Sequence, residues 1–253
     1  MIGCKIYFHN FIIHRHPAYQ GSTLILHRHP AYQGSTLILL LYLIYMGTRP
    51  PMAPREIFHI YNRGTEKRKI FLERKDYERF LALLYLSNSD SSVHISNQRG
   101  LTLTDLLELE RGQALVDIGA YCLMPNHFHL LIHQKVEGGI SKFMQKLVTG
   151  YTMYFNLKHQ RNGALFQGRF KSRHAGEDRY LKYLLSYIHL NPAQYTKYPY
   201  SSYADFIGKT RPHGKILNKE SIPLYFESPE QFIEELKEWS TYQTEYQGST
   251  LMQ

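Results

Sequence analysis

A chain of 253 residues, 43% of them hydrophobic, is long enough to bury a core in one domain that carries appendages. Its formal net charge of +9, with 21 Tyr and 13 Phe interleaved among the basic residues, points to a polyanionic partner. Nucleic acid fits that interleaving better than a membrane surface, which a continuous polybasic tail would have favoured. Cys4 and Cys122 are the only cysteines, which excludes a disulfide framework or a cysteine-rich zinc site and points to a reducing, cytoplasmic compartment.

The first fifty residues differ in kind from the rest. "HRHPAYQGSTLIL" occupies 14–26 and recurs unchanged at 27–39, and "YQGSTL" returns at 246–251. A single tandem copy is too little for a solenoid, which needs about three stacked units. Identity this complete points to a repeated nucleotide segment of which the peptide is only the translation. The second copy runs into "LILLLYLIYM" (37–46), well short of the roughly 20 residues a membrane helix needs and without a small-residue cleavage site after it. Met46 and Met52 are both candidate starts. Residues 1–52 are therefore expected to stand outside the fold, with a body at 53–208 and a helical tail at 209–253.

From Arg55 the pattern is orderly. "EIFHIYN" (56–62) alternates and is rich in β-formers, so it predicts a strand closed by "RG". "KDYERFLALLYLSN" (75–88) has helical spacing. The polar stretch 89–112 predicts an excursion holding a short helix. "QALVDIGAYCLM" (113–124) and "HFHLLIHQ" (127–134) predict two strands joined by a tight "PN" turn. A long amphipathic helix at 138–160 follows, then an extended basic-aromatic arm, "GALFQGRFKSRHA" (163–175). A helix at 176–191 is stopped by Pro192, because the residue before proline disfavours helical geometry. One more helix is expected at 228–239. The order β-α-β-β-α-β-α predicts an α+β fold, a ferredoxin-like (RRM-like) antiparallel sheet with helices packed on one face.

In a strand His127 and His129 point the same way and Phe128 the opposite way. The sequence thus sets an aromatic anchor on one face and two imidazoles side by side on the other. They are either a metal pair or two half-buried surface histidines, and a divalent ion needs at least a third ligand. Tyr183, Tyr187 and Asn191 recur every four residues, so they line one face of the helix before Pro192. The amide oxygen of Asn191 is a candidate third ligand, with Tyr187 either beside the ion or simply packing; Tyr183 reads as packing. Tyr151 and Tyr154, on the preceding helix, read as packing or DNA-contacting.

The stretches "MPNHFHLLI", "GALFQGRFKS", "YIHLNPAQ" and "YPYSSYADFIG", with the opening "FHIYNRGTEKRKIF" (58–71), resemble the REP-associated tyrosine transposases. These belong to the HUH single-tyrosine, insertion-sequence-200-like transposases. The likeness runs over about 55–208. It implies that His127 and His129 are the metal ligands with Asn191 as the third, that the cation is Mg²⁺ or Mn²⁺, and that Tyr187 is the nucleophile. It further implies cleavage and rejoining of single-stranded DNA beside a hairpin repeat through a 5′-phosphotyrosine link. In "RFKSRH" an extended chain sets Arg169, Lys171 and Arg173 on one face to grip phosphates, and "YNRG" adds Asn62 and Arg63 as DNA contacts. The expected partner is single-stranded or hairpin DNA, with no membrane, the protein acting as monomer or homodimer. Two rival readings remain: a catalytically silent hairpin-binding regulator or remnant, and a metal-dependent phosphodiesterase with water as nucleophile.

Overall fold

The computed structural model describes residues 52–91, 100–221 and 225–246, and the backbone of three short strands before them. The apolar run 37–46, the part of the polar excursion at 92–99 and positions 247–251 of the last repeat lie outside the described residues. Two compact units divide the chain, Met1–Pro51 and Met52–Gln253. In the first, β1 (Ile6–Phe8), β2 (Phe11–Arg15) and β3 (Leu24–Arg28) form an antiparallel sheet in that order. Among the described residues no helix is long and apolar enough to cross a membrane.

The second unit begins with β4 (Ile57–Arg63), whose alternation puts Phe58 and Ile60 into the core. Helix α1 (Arg74–Leu86) follows, and a short helix α2 (Leu103–Glu108) lies in the excursion, capped by Thr102 and Asp105. Strands β5 (Val116–Met124) and β6 (His127–Gln134) form the expected hairpin across Pro125 and Asn126. Helix α3 (Gly139–Lys158), strand β7 (Lys171–His174) and helix α4 (Asp178–Leu190) come next. The chain closes with a one-turn helix α5 (Tyr203–Phe206) and the long α6 (Pro229–Tyr246). The sheet order β5-β6-β4-β7, every pair antiparallel, is the ferredoxin-like arrangement of a βαββαβ unit.

The sheet is buried on both faces. On one, Phe58, Ile60, Tyr121, Leu123, Phe128, Leu130 and Ile132 meet Phe80, Leu81 and Leu84 of α1 and Phe143, Leu147 and Tyr151 of α3. The two helices of the βαββαβ unit thus share one face, as expected. Helix α4, which comes after the unit, lies against the other, where Leu181, Leu184, Leu185 and Ile188 pack on Ala120, Cys122 and Leu131. Strand β5 serves both cores because it changes phase: the register with β6 slips between Ile118 and Ala120, at Gly119. Val116 and Ile118 face the first core before the bulge, and Tyr121 and Leu123 face it after, which a single alternation would forbid. The side chain of Asn88 fixes where β5 begins, accepting from the backbone N–H of Leu115 and Val116 and donating to the Val116 carbonyl.

Candidate active site

The face of the sheet under α4 carries the predicted residues in rows set by register. Tyr61 lies opposite His129, Arg63 opposite His127, and on the far side Tyr61 pairs with Lys171 and His59 with Arg173. The imidazoles of His127 and His129 stand edge-to-face with centroids 5.0 Å apart, while Phe128 is fully buried on the opposite face against Phe80 and Phe166. Helix α4 brings Tyr187 over this pair, its ring edge-on to His129 at 5.4 Å. The amide oxygen of Asn191 lies 3.5 Å from Nε2 of His127. The structure therefore brings His127, His129, Tyr187 and Asn191 together on one side of the sheet. Tyr183, one turn back, packs against Tyr180, Tyr187 and Trp239.

Local hydrogen bonds decide what each atom can offer. Asn126, in the hairpin turn, holds its side-chain oxygen 2.7 Å from Nδ1 of His127. A carbonyl oxygen only accepts, so Nδ1 carries the proton and Nε2 keeps a lone pair. The amide nitrogen of Asn191 donates to the Tyr187 carbonyl at 2.8 Å, which turns its oxygen towards that Nε2. Two lone-pair atoms thus face each other, an arrangement that a cation between them satisfies. Two imidazole nitrogens and an amide oxygen suit a first-row divalent ion or Mg²⁺, so these residues fit the expected metal. Among the described residues no group of three His, Cys, Asp or Glu side chains converges as a metal site; the third donor here is an amide.

Asn191 departs from one expectation. It precedes Pro192 yet keeps helical dihedrals, φ −53° and ψ −46°, where the pre-proline rule favours an extended residue. The helical turn is what keeps its side chain over Tyr187 and pointed at His127.

Burial dominates the electrostatics. It lowers the affinity of His127 and His129 for protons, with nearby Arg63 and His59 respectively adding to the effect, so both are neutral and ready to ligate at neutral pH. It raises the Tyr187 phenol above its ordinary value, with Tyr61 acting the same way and Asn191 opposing. Cys122, in the core beneath α4, is also pushed up by burial and is inert packing.

The basic residues divide. Arg63, Arg169, Lys171 and Arg173 are exposed. Lys171 and Arg173 share a strand face with His59 and Tyr61, so the charged row borders the histidine pair. Phe170 points the other way and packs on the first core. Asn62, expected to contact DNA, does not fit that role. It is 5% exposed and on the opposite face from Arg63, donating to the Gly168 carbonyl and accepting from the Arg63 N–H, so it tethers the arm to β4. Gly64 next to it is required by crowding, since a Cβ there would lie 2.3 Å from the Arg68 carbonyl.

His59 escaped the sequence reading, and Tyr61 was part of "YNRG" but was given no place beside the histidine pair. His59 is buried and its Nε2 lies 2.8 Å from Nδ1 of His129. Tyr61 stacks on both rings, at 4.9 Å from His59 and 5.9 Å from His129. The signal was the parity of "FHIYNR", which puts His59 and Tyr61 on one face; which neighbour they meet depends on strand register.

The model of a family described as "Transposase IS200 like" matches residues 58–191, from β4 to Asn191. No curated protein is a significant match. Among solved structures the chain is similar to a REP-associated tyrosine transposase bound to a REP hairpin. That likeness is at 13% identity, with a TM-score of 0.42, over 71% of this chain and 98% of the other.

Proposed function

The chain belongs to the IS200-like transposase family, and from that premise we propose that it cleaves and rejoins single-stranded DNA beside a hairpin repeat, with Tyr187 as the nucleophile. The four motifs around His127, Phe166, Tyr187 and Tyr200 resemble those of the REP-associated branch, and the reading places the chain there. The observation that carries the reading is one juxtaposition. The ring of Tyr187 stands over His129 while the Asn191 oxygen faces His127, on the same sheet face as Lys171 and Arg173.

His127, His129 and Asn191 would hold Mg²⁺ or Mn²⁺. When bound, such a cation neutralises charge on the scissile phosphate and favours in-line attack. The chain's own residues do the rest. Lys171, Arg173 and Arg63 hold the phosphates of an unpaired strand along the edge of the sheet, and Tyr61 offers an aromatic surface beside them. Tyr187 Oη then forms a bond to phosphorus while the bond from phosphorus to the 3′ oxygen breaks. The phenol loses its proton and the departing oxygen gains one, leaving a 5′-phosphotyrosine and a 3′-hydroxyl. Because the phosphodiester is exchanged rather than hydrolysed, another 3′-hydroxyl reverses the step and joins a new strand without ATP. Tyr187 is held on α4, whose neighbouring residues Leu184 and Ile188 pack with Leu131 and Cys122.

A labelled single strand carrying a hairpin, incubated with the protein and Mg²⁺ or Mn²⁺, is expected to yield a protein–DNA adduct that survives denaturing electrophoresis and disappears with chelator. Cleaved product without adduct would mean that water is the nucleophile, and the transposase mechanism would be abandoned. For the arm, Lys171→Ala is expected to weaken hairpin binding and to reduce the slope of log affinity against log salt by about one. An unchanged slope would remove Lys171 from the DNA contacts.

A further inference from the structure

We propose that His59 is a positioning residue for the metal centre: it accepts the Nδ1 hydrogen of His129 and so presents the other nitrogen of that ring to the cation. The inference rests on the reading of His127 and His129 as metal ligands and assigns a further residue to that centre.

The geometry leaves little freedom. His129 is 6% exposed and its Nδ1 is engaged by Nε2 of His59 at 2.8 Å, so only Nε2 of His129 remains to ligate. A ring that ligates through Nε2 carries its proton on Nδ1, and that proton needs an acceptor in a buried setting. The Nε2 lone pair of His59 supplies it. His59 is also only 6% exposed, and it sits diagonally across the β4–β6 pair, since Tyr61 rather than His59 is directly opposite His129. Its plane lies 23° from that of His129 at 5.0 Å, and the Tyr61 ring stacks on it at 29°. The Tyr187 ring closes the site edge-on to both histidines, at 6.1 Å from His59.

The two ligand histidines are then held by the same device from different elements. Asn126 of the hairpin turn fixes the tautomer of His127 through Nδ1, and His59 of β4 fixes that of His129 through Nδ1. Nε2 of His127 faces the Asn191 oxygen at 3.5 Å, and Nε2 is the nitrogen that His129 has left for the cation. A buried imidazole with no such task would be an expensive choice in a strand whose neighbours Phe58 and Ile60 are apolar.

Titration calorimetry with Mn²⁺ alone, without DNA, reads this directly. His59→Phe keeps an aromatic ring and removes the acceptor; it is expected to weaken Mn²⁺ binding about 10- to 100-fold. His59→Gln restores an acceptor oxygen and is expected to recover most of that loss. Thermal midpoints recorded on both variants separate a folding defect, which would lower the midpoint in both without the recovery by Gln. Wild-type Mn²⁺ affinity in His59→Phe, or equal weakness in the Phe and Gln variants, overturns the role of His59. Wild-type protein that binds no Mn²⁺, or binds it undiminished after His127→Ala and His129→Ala, overturns the metal reading and this inference with it.

Discussion

Tyr187→Phe is expected to abolish the covalent adduct while leaving affinity for the hairpin within about threefold of wild type, a difference of less than 1 kcal/mol. The asymmetry comes from what the substitution removes. The ring stays, so its edge contacts with His129 and His59 and its packing beside Tyr183 persist. Only the oxygen goes, and phenylalanine has nothing with which to form a bond to phosphorus. Folding should lose no more than about 1 kcal/mol for the hydroxyl's hydrogen bonding. The measurement is paired: adduct yield on a denaturing gel and hairpin binding in chelator on the same preparation. A persisting adduct would redirect attention to Tyr183, which lies one helical turn back on the same face and packs against Trp239 and Tyr180. Adduct formation by Tyr187→Phe that vanishes in Tyr183→Phe would reassign the nucleophile and overturn the role of Tyr187.

Why so much of this site could be read from sequence is a matter of periodicity. "HFH" in an alternating strand fixes two imidazoles on one face and an aromatic on the other without any tertiary knowledge, and the structure has Phe128 in one core and the histidines facing α4. Helical spacing does the same for Tyr183, Tyr187 and Asn191. The βαββαβ order was legible because each element was long and strongly patterned. The same alternation also argued against Asn62: neighbours in a strand face opposite ways, so Asn62 and Arg63 could not both meet one strand of DNA. His59 is a different case. Nothing local marks it, because its partner His129 is 70 positions away and the contact exists only in the β4–β6 register. The phase change at Gly119 was equally hidden, since the bulge is visible only once β5 is laid against β6. Asn191 ran against a local rule, and the tertiary demand of the site prevailed over the dihedral preference before Pro192.

The largest effect on folding is expected at Asp76, far from the histidine pair and on the opposite side of the sheet from α4. Its carboxylate is fully buried at the start of α1, where it accepts from the N–H groups of Leu72 and Glu73 and completes a reciprocal cap with Glu73. It also receives Lys158 at 2.6 Å, the Tyr154 hydroxyl at 3.1 Å and His159 at 3.3 Å, all from the end of α3. Tyr154 is thereby a structural residue, as is Tyr151, whose hydroxyl donates to the Ile70 carbonyl within the core. One carboxylate thus ties the first turn of α1 to the last turn of α3, the two helices that cover the first core. Asp76→Ala leaves the N–H groups of Leu72 and Glu73 and the Tyr154 hydroxyl without this acceptor and leaves Glu73 as the carboxylate that Lys158 retains, and is expected to cost roughly 3 kcal/mol. For a body of this size that is a fall in midpoint of about 6–12 °C. The pH dependence has a definite sign. Burial alone would raise the Asp76 pKa, but the Lys158, Leu72 and His159 hydrogen bonds outweigh it and hold the group below the usual carboxylate value. A depressed folded pKa contributes stability that is complete above the unfolded value, near 4, and is lost as pH falls through the folded value. The gap in stability between wild type and Asp76→Ala should therefore be constant from about pH 5 to 7 and shrink below about pH 4. Urea unfolding at about pH 7 and about pH 3 checks both parts; a gap under about 1 kcal/mol at neutral pH would show that apolar packing alone holds the α1–α3 junction, and a gap that fails to narrow in acid would show that the charge on Asp76 contributes nothing to it.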